Sequence, residues 1–194
     1  MSQPSFEQAI EKIDKENAKD PNKEVYQGKE YPKELLYAQR MTKALLDFNP
    51  QANEELQIAA RAQHIARWKI DRSSYPMDRV GYLKWREELK KMHADMTSEI
   101  LSEVGYNVEF IERVSFLIRK KMLKKDPDSQ TLEDVVCLVF LHYYFEDFAQ
   151  KHPDEKVVDI LQKTWGKMSE KGHKAALELP LDEKSFSLIK KALA

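Results

Sequence analysis

The chain has 194 residues, enough for one hydrophobic core, and its length does not suggest two domains. Hydrophobic residues make up 42% and charged residues 34% of the sequence, a balance typical of water-soluble globular proteins. The formal net charge of −1 neither indicates nor excludes binding of nucleic acid, and no apolar run is long enough to cross a membrane.

In the first third of the chain, apolar residues spaced three and four apart predict helices separated by short polar breaks. Ser5 is a candidate N-cap for the first helix, and Pro32 suits the first turn of the second. The second helix is expected over about 33–47 and the third over about 56–68. No alternating apolar run is flanked by Asn-Gly or Asp-Gly, so no strand is predicted.

The strongest helix boundaries occur in the middle of the chain. Asp78 is a candidate N-cap for a long helix over about 79–104, and Gly105 is its expected C-terminal stop. Asn107 is a candidate cap for the helix that follows.

The last third of the chain also has a helical pattern. Thr131 and Asp134 fit a capping box ahead of the most apolar helix, and two more helices are expected near 154–171 and 182–193. Residues 1–194 are therefore predicted to form a single compact all-α domain of about seven or eight helices.

Familiar catalytic motifs are absent from the sequence. It contains no G-x-G-x-x-G, Walker, G-x-S-x-G or H-E-x-x-H pattern and no paired C-x-x-C clips, which argues against common nucleotide-fold, hydrolase and zinc-finger classes. Cys137, the only cysteine, lies in the apolar run "VVCLVFL" and is expected to be a buried hydrophobe. A reducing, cytoplasmic location is predicted, since no internal disulfide can form and the start shows no signal-peptide pattern.

Side chains suited to a functional site are concentrated between residues 61 and 93. A continuous third helix would place Arg61, His64 and Trp68 on one face. In the long helix, Arg86 and His93 are seven residues apart, so they share a stripe to within about 20°. If the loop "KIDRSSYPMD" folds these helices together, both faces would line one cleft.

Such a cleft would suit a small phosphorylated or nucleotide-like ligand, or RNA, because arginine forks bind phosphate and aromatic rings stack on bases. The predicted ligand-binding residues are Arg67, Arg72, Tyr75, Arg79, Tyr82, Trp85 and Arg86. The alternative is structural, since arginine stems often pack on tryptophan rings and charged helix faces are usually solvated.

Four segments resemble the HD-domain superfamily, which comprises all-helical metal-dependent phosphohydrolases. In "YAQRMTKALL", Tyr37 stands where that family has its first histidine, and in "IAARAQHIARW", Gln63 and His64 stand where it has its His-Asp pair. "HADMTSEILSEVG" aligns His93 with a family histidine, and "LEDVVCLVF" aligns Asp134 with the closing aspartate.

This resemblance implies an HD-like core over about 33–145, followed by C-terminal helices over 154–193. It also implies that His64, His93 and Asp134 bind one divalent metal ion (Mn, Fe, Ni or Zn), with His64 and His93 as catalytic residues. The departures from the HD pattern at Tyr37 and Gln63 bear on activity, because a glutamine is a poor ligand for a catalytic transition metal. Asp134 also has the structural explanation of a capping box.

A second resemblance covers almost the whole chain. The strings "RAQHIARWKIDRSSYPMDRVGYLKWREELKKMHADM", "LEDVVCLVFLHYYF" and "KTWGKMSEKGHKAAL" resemble the uncharacterised DUF4202 family. That likeness implies one complete domain and no established activity.

The sequence leaves two functions open. The first is a divergent HD-like metal-dependent phosphohydrolase acting on a small phosphorylated or nucleotide-like compound, in which the metal would activate a water molecule. The second is a non-catalytic module that binds a nucleotide, RNA or another anionic partner through the cleft of arginines and aromatic rings. No membrane partner is expected, and the oligomeric state is left open.

Overall fold

The computed structural model of the chain describes residues 5–193. Within them it contains ten α-helices, one two-stranded antiparallel sheet, and short 3-10 turns at Arg67–Lys69 and Arg72–Ser74. The elements are α1 (Phe6–Asn17), β1 (Lys23–Tyr26), β2 (Lys29–Pro32), α2 (Lys33–Phe48), α3 (Glu54–Arg61), α4 (Arg79–Val104), α5 (Val108–Ile118), α6 (Pro127–Tyr143), α7 (Phe145–Lys151), α8 (Asp154–Trp165), α9 (Glu170–Leu177) and α10 (Glu183–Leu193).

The helical class predicted from the sequence is confirmed, but the predicted number of seven or eight helices is too low. Tyr144 has non-helical dihedral angles and separates α6 from α7. Ser169 caps α9 and so separates it from α8, where one helix over 154–171 was expected. None of the helices within residues 5–193 combines the length and apolar composition needed to cross a membrane.

The short hairpin of β1 and β2 was not predicted. Gln27 and Gly28 form a two-residue loop with φ angles of 50° and 75°, and Tyr26 pairs with Lys29 on either side of it. Two successive positive φ angles are characteristic of a type I′ turn, which matches the twist of a hairpin. The sequence signal was missed because glutamine replaces the usual asparagine or aspartate at the first loop position.

The third helix is shorter than predicted. It ends at Arg61, whereas its apolar spacing continues to Trp68. Ala66 has a left-handed backbone with φ of 53°, and its amide donates to Oδ1 of the buried Asn17 at 3.1 Å. His64 therefore lies in the turn that follows α3 and not on a helix face shared with Arg61, and the left-handed Ala66 prevents an α-helix from continuing to Trp68.

The predicted boundaries of the long helix are confirmed. Asp78 accepts from the Gly81 amide at 2.7 Å, and Gly105 ends α4 with φ of 97°. The expected capping box at Thr131 is wrong, because α6 already begins at Pro127 after the N-cap Asp126. Proline is favoured at the first helical position, where its missing N–H group is not needed.

The helices enclose two hydrophobic clusters, both of which include residues of α6. The first lies among α1 to α6, and its fully buried members include Ile13, Leu45, Ile58, Leu101 and Leu117. The second lies among α6 to α10 and includes Phe145, Leu161 and Ile189. Cys137 belongs to the second cluster, as expected for a cysteine in an apolar run.

Asp134 joins α6 to the start of α9. Its Oδ1 accepts from the Ser169 amide at 2.8 Å, and its Oδ2 accepts from the Ser169 hydroxyl at 2.5 Å. The Ser169 hydroxyl also accepts from the Gly172 amide at 3.1 Å, as the N-cap of α9. Gly172 itself packs against the carboxylate, so that a Cβ at this position would lie 2.6 Å from Asp134 Oδ1.

Substitution of Gly172 by alanine should therefore destabilise the protein. A Cβ at 2.6 Å overlaps a buried carboxylate that already binds Ser169, and overpacking of this kind costs about 1–3 kcal/mol. The free energy of unfolding is measured by urea titration for Gly172→Ala and for Lys174→Ala, an exposed position on the same helix. Equal stability of the two variants would contradict this account of the contact.

Candidate functional site

A cavity of about 360 Å³ lies among α2, the turn after α3, α4 and α6. Its charged lining is mainly cationic, with six Lys or Arg side chains against two carboxylates. The cations are Lys33, Arg67, Arg86, Lys90, Lys120 and Lys167, and the carboxylates are Glu34 and Glu133. We refer to this cavity as the cationic pocket.

Four of the predicted site residues line the cationic pocket, namely His64, Arg67, Arg86 and His93. They come from the turn after α3 and from α4, the two segments that the sequence suggested would meet. The centroids of the two imidazole rings are 6.1 Å apart. The expected convergence of imidazole and guanidinium groups is therefore present, although the third helix does not extend to either His64 or Arg67.

His64 is held in one orientation by three neighbours. Its ring stacks on Tyr37 with the centroids 4.0 Å apart, and its Nε2 lies 2.8 Å from Arg67 Nη1. A guanidinium group only donates, so Nε2 accepts, and the ring proton belongs on Nδ1, which faces Glu34 Oε2 at 3.4 Å. Burial and the adjacent Arg67 charge hold the pKa of His64 well below its usual value, which keeps the imidazole neutral.

His93 is almost fully buried, and a hydrogen bond to the backbone fixes the orientation of its ring. Its Nδ1 lies 2.7 Å from the Ile65 carbonyl oxygen, which can only accept, so Nδ1 carries the proton. Burial lowers the pKa of His93 to about 3, and the ring is neutral at physiological pH. Its Nε2 is consequently an acceptor, and His93 lines the pocket.

Gln63 lines the pocket beside the two histidines and is 3% exposed. Its Oε1 is buried and accepts no hydrogen bond from any residue in the range 5–193. Such an unpaired buried acceptor is unusual, because an amide oxygen removed from water without a partner costs free energy. The sequence singled out Gln63 only as a departure from the HD pattern.

Glu34 is a member of the pocket that sequence reasoning missed. It lies at the start of α2, and its backbone amide donates to Asp20 Oδ2 at 3.0 Å. Burial raises the pKa of its carboxyl to about 7, although the nearby Arg67 charge acts in the opposite direction. At neutral pH the side chain is therefore close to half protonated.

Arg67 and Arg86 are held by aromatic residues. The Arg67 guanidinium carbon lies 5.0 Å from the centroid of the Trp85 ring, a cation–π distance. Arg86 Nη1 donates to the Tyr82 hydroxyl at 3.2 Å, and Arg86 has no carboxylate partner in the part of the chain that the structure describes. Its positive charge is therefore not neutralised by an ion pair.

Lys120 and Glu133 form a buried ion pair at the α6 side of the pocket, with Nζ and Oε2 2.7 Å apart. Lys167 lies 3.8 Å from the other oxygen of Glu133. Burial lowers the pKa of Lys120, and the Lys120 charge holds the pKa of Glu133 below its usual value although burial acts against it. Sequence reasoning missed all three residues because they lie far from the Arg61–His93 stretch.

The other predicted ligand-binding residues lie outside the pocket lining. Arg72 donates to the carbonyl oxygens of Tyr75, Pro76 and Asp78, so it braces the loop before α4. Trp85 is buried, and its Nε1 donates to Ile70 O at 2.9 Å. Arg79, Tyr82 and the partly buried Tyr75 lie at the start of α4 or in the loop before it, with Arg79 and Tyr82 exposed.

The predicted metal ligands are not brought together as a set of three. Asp134 lies outside the pocket lining and is occupied by Ser169, and Arg67 places a guanidinium against His64 Nε2. Among residues 5–193, no group of three His, Cys, Asp or Glu side chains is arranged to hold a metal ion. The three predicted ligands therefore do not fit a metal centre in this arrangement.

Sequence comparison places the chain in a family. Residues 7–189 match the family described as "Domain of unknown function (DUF4202)". The chain belongs to this family. Comparisons with curated proteins and with solved structures gave no match.

Protonation of Glu34 should make the stability of the protein depend on pH. Because its pKa is raised from 4.5 to about 7 on folding, the folded state binds more protons than the unfolded state between these pH values. Stability is then lost as the pH rises through this range. Glu34→Gln removes that loss, so it should stabilise the protein by about 2–3 kcal/mol more at pH 8 than at pH 5.

Urea unfolding of the wild-type protein and of Glu34→Gln at pH 5, 6.5 and 8 measures this difference directly. The two proteins share every other ionisable group, so the change in their stability difference with pH reports on Glu34. A stability difference that stays constant across this range would show that the pKa of the carboxyl is not raised.

Proposed function

We propose that the cationic pocket binds the phosphoryl group of a small phosphorylated compound. The single observation that carries this proposal is the charge of the lining, six cations against two carboxylates in one cavity. Phosphate oxygens are well matched by arginine forks and lysine ammonium groups, and a concave site strengthens such contacts by excluding water.

The positive charge of the pocket is not cancelled by its own acids. Glu133 is neutralised by Lys120 at 2.7 Å, with Lys167 3.8 Å from its other oxygen. Glu34 is close to half protonated at neutral pH because burial raises its pKa to about 7. Lys90 pairs with Glu87, which lies outside the lining. Arg86 and Arg67 have no carboxylate partner among residues 5–193 and are available to an anion, which would remove the mutual repulsion of neighbouring guanidinium groups.

The size of the cavity favours a small ligand over a polymer. Its volume of about 360 Å³ is near the lower end of the range of about 300–1,000 Å³ for small-molecule sites. Arg72, which was predicted to contact such a polymer, instead donates hydrogen bonds to the loop carbonyl oxygens of Tyr75, Pro76 and Asp78. RNA is therefore an alternative outcome of the binding tests and not the proposal itself.

Arg86→Gln should weaken binding of inorganic pyrophosphate, the probe that supplies only phosphoryl oxygens. Loss of a hydrogen-bonded charge costs about 1.5–3 kcal/mol, equivalent to a dissociation constant raised by about 10–100-fold. The matched control is Arg79→Gln, seven residues earlier on the same helix but exposed and outside the pocket lining. Isothermal titration calorimetry at two salt concentrations measures both variants and the wild type, whose affinity should fall as salt is raised.

The proposal fails if the wild-type protein does not bind pyrophosphate, or if Arg79→Gln weakens binding as much as Arg86→Gln does. Binding of an RNA oligonucleotide without any binding of pyrophosphate or of a nucleoside monophosphate would favour the RNA alternative.

Metal-dependent phosphohydrolysis, the activity implied by the HD-like resemblance, is the second candidate. One observation favours it, since His93 donates from Nδ1 to a backbone carbonyl and leaves Nε2 free, as metal-ligating histidines commonly do. Glu34 is the nearest carboxylate to His64, at 3.4 Å. A bound metal ion would supply an activated water molecule. Two contacts weigh against this candidate. The Arg67 guanidinium lies against His64 Nε2, and the Asp134 carboxylate accepts a hydrogen bond from Ser169.

Chelation should separate these two candidates. We expect pyrophosphate to bind with the same affinity before and after dialysis against EDTA, because the cationic lining alone provides the attraction. Metal content is measured by mass spectrometry for the wild-type protein and for His93→Asn, which keeps a donor for Ile65 O and lacks Nε2. A stoichiometric transition metal that is lost in His93→Asn would favour the hydrolase instead.

A further inference from the structure

The polar groups of the cationic pocket are sorted by depth. Gln63 and His93 are 3% and 2% exposed, so they form the floor of the pocket. The cations lie further out, since the Arg86 side chain is partly exposed and those of Lys90, which also pairs with Glu87, and Lys167 are 24% and 55% exposed. A ligand bound by the cations through its phosphate would therefore direct its other end towards Gln63 and His93.

Gln63 brings an unused hydrogen-bond acceptor to this floor. Its Oε1 is buried without a partner among the described residues, although arginine and lysine donors line the same cavity. An apolar side chain of similar size would avoid that cost, so stability alone does not explain a glutamine here. A buried acceptor at a cavity wall is satisfied either by bound water or by a ligand, and a ligand with a donor at this point would supply the missing partner.

His93 provides a second acceptor on the same floor. Its Nδ1–H donates to Ile65 O at 2.7 Å, so Nε2 has a lone pair and no proton and can only accept. Burial lowers the pKa of His93 to about 3 and prevents protonation of Nε2 at neutral pH. A phosphate oxygen has no proton to give to either acceptor when fully ionised, so these two groups suit another part of the ligand.

The lining also includes the rings of Tyr37, Phe140 and Tyr144. Tyr37 already stacks on His64 with the ring centroids 4.0 Å apart, and Tyr144 accepts a hydrogen bond at its hydroxyl from Arg40 at 2.8 Å. These aromatic surfaces offer contact to the apolar faces of a sugar or to a planar ring.

We propose that the ligand is a phosphorylated compound with O–H or N–H donors at the end away from the phosphate, such as a sugar phosphate or a nucleoside monophosphate. These donors bind Gln63 Oε1 and His93 Nε2 while the phosphate contacts the cations nearer the rim. This inference rests on the proposed function, and it excludes inorganic phosphates and phosphate esters with plain alkyl tails as the preferred ligands.

The test compares ligands that carry the same phosphate ester and differ in their donors. Dissociation constants are measured by calorimetry for ribose 5-phosphate, adenosine 5′-monophosphate and n-pentyl phosphate. At least one of the first two should bind about tenfold or more tightly than n-pentyl phosphate, since each satisfied buried acceptor contributes about 1–3 kcal/mol, or about 5–150-fold.

Two variants test whether residues on the floor of the pocket distinguish ligands with donors from n-pentyl phosphate. Gln63→Met keeps the length of the side chain and removes the acceptor, and His93→Asn keeps the bond to Ile65 O and removes Nε2. In each, the preference over n-pentyl phosphate should fall by about tenfold, because only the ligands with donors lose a hydrogen bond. Equal binding of all three compounds to the wild-type protein, or an equal loss for all three in both variants, would overturn the inference.

Failure of the proposed function has a different result, because a protein that binds none of the three compounds and no pyrophosphate has no phosphate site at all.

Without ligand, Gln63→Met should raise Tm by about 2–4 °C, because it removes an unsatisfied buried acceptor. The matched control is Gln57→Met on α3, which should lower Tm, because Gln57 Nε2 donates to Ala52 O at 2.8 Å. A lower Tm in Gln63→Met would show that the amide has a structural partner, which also overturns the inference.

Discussion

A hydrogen bond between two distant segments determines where the polar groups of the pocket lie. Asn17, buried at the end of α1, accepts from the Ala66 amide at 3.1 Å and holds Ala66 in a left-handed conformation. That conformation costs a non-glycine residue about 1–2 kcal/mol, and the bond from a buried amide offsets it. Ala66 ends the turn that carries Gln63 and His64, both of which line the pocket, and the carbonyl of Ile65, the residue before Ala66, accepts from an imidazole of α4.

The parts of the site that depend on regular local structure could be predicted from the sequence. Arg86 and His93 are seven residues apart in a helix whose limits are marked by Asp78 and Gly105, and both line the pocket. Arg79 continues the same stripe, yet it lies on the exposed first turn of α4, outside the cavity. Periodicity identifies the face of a helix, whereas the length of that face that a cavity uses depends on the packing of other elements.

The rest of the site depends on contacts between residues that are far apart in the sequence. The helical spacing continues past Arg61, but α3 ends there, and the turn that follows is held at Ala66 by Asn17, which lies in α1. Glu34 lies in the first turn of α2 and Lys120 lies just after α5, and both reach the pocket only through the packing of these helices around the first hydrophobic cluster. No short motif carries that information, because the relevant contacts span tens of residues.

Two consecutive carboxylates in α6 show why a sequence motif alone could not assign the site. Successive residues of a helix point about 100° apart, so Glu133 and Asp134 face different neighbours. Glu133 faces the pocket and pairs with Lys120, whereas Asp134 binds the start of α9 through Ser169. The resemblance to HD domains selected Asp134, but the neighbouring Glu133 is the carboxylate that shapes the charge of the cavity. Since Lys167 immediately precedes the segment held by Asp134 and also approaches Glu133 at 3.8 Å, the docking of α9 positions part of the pocket rim.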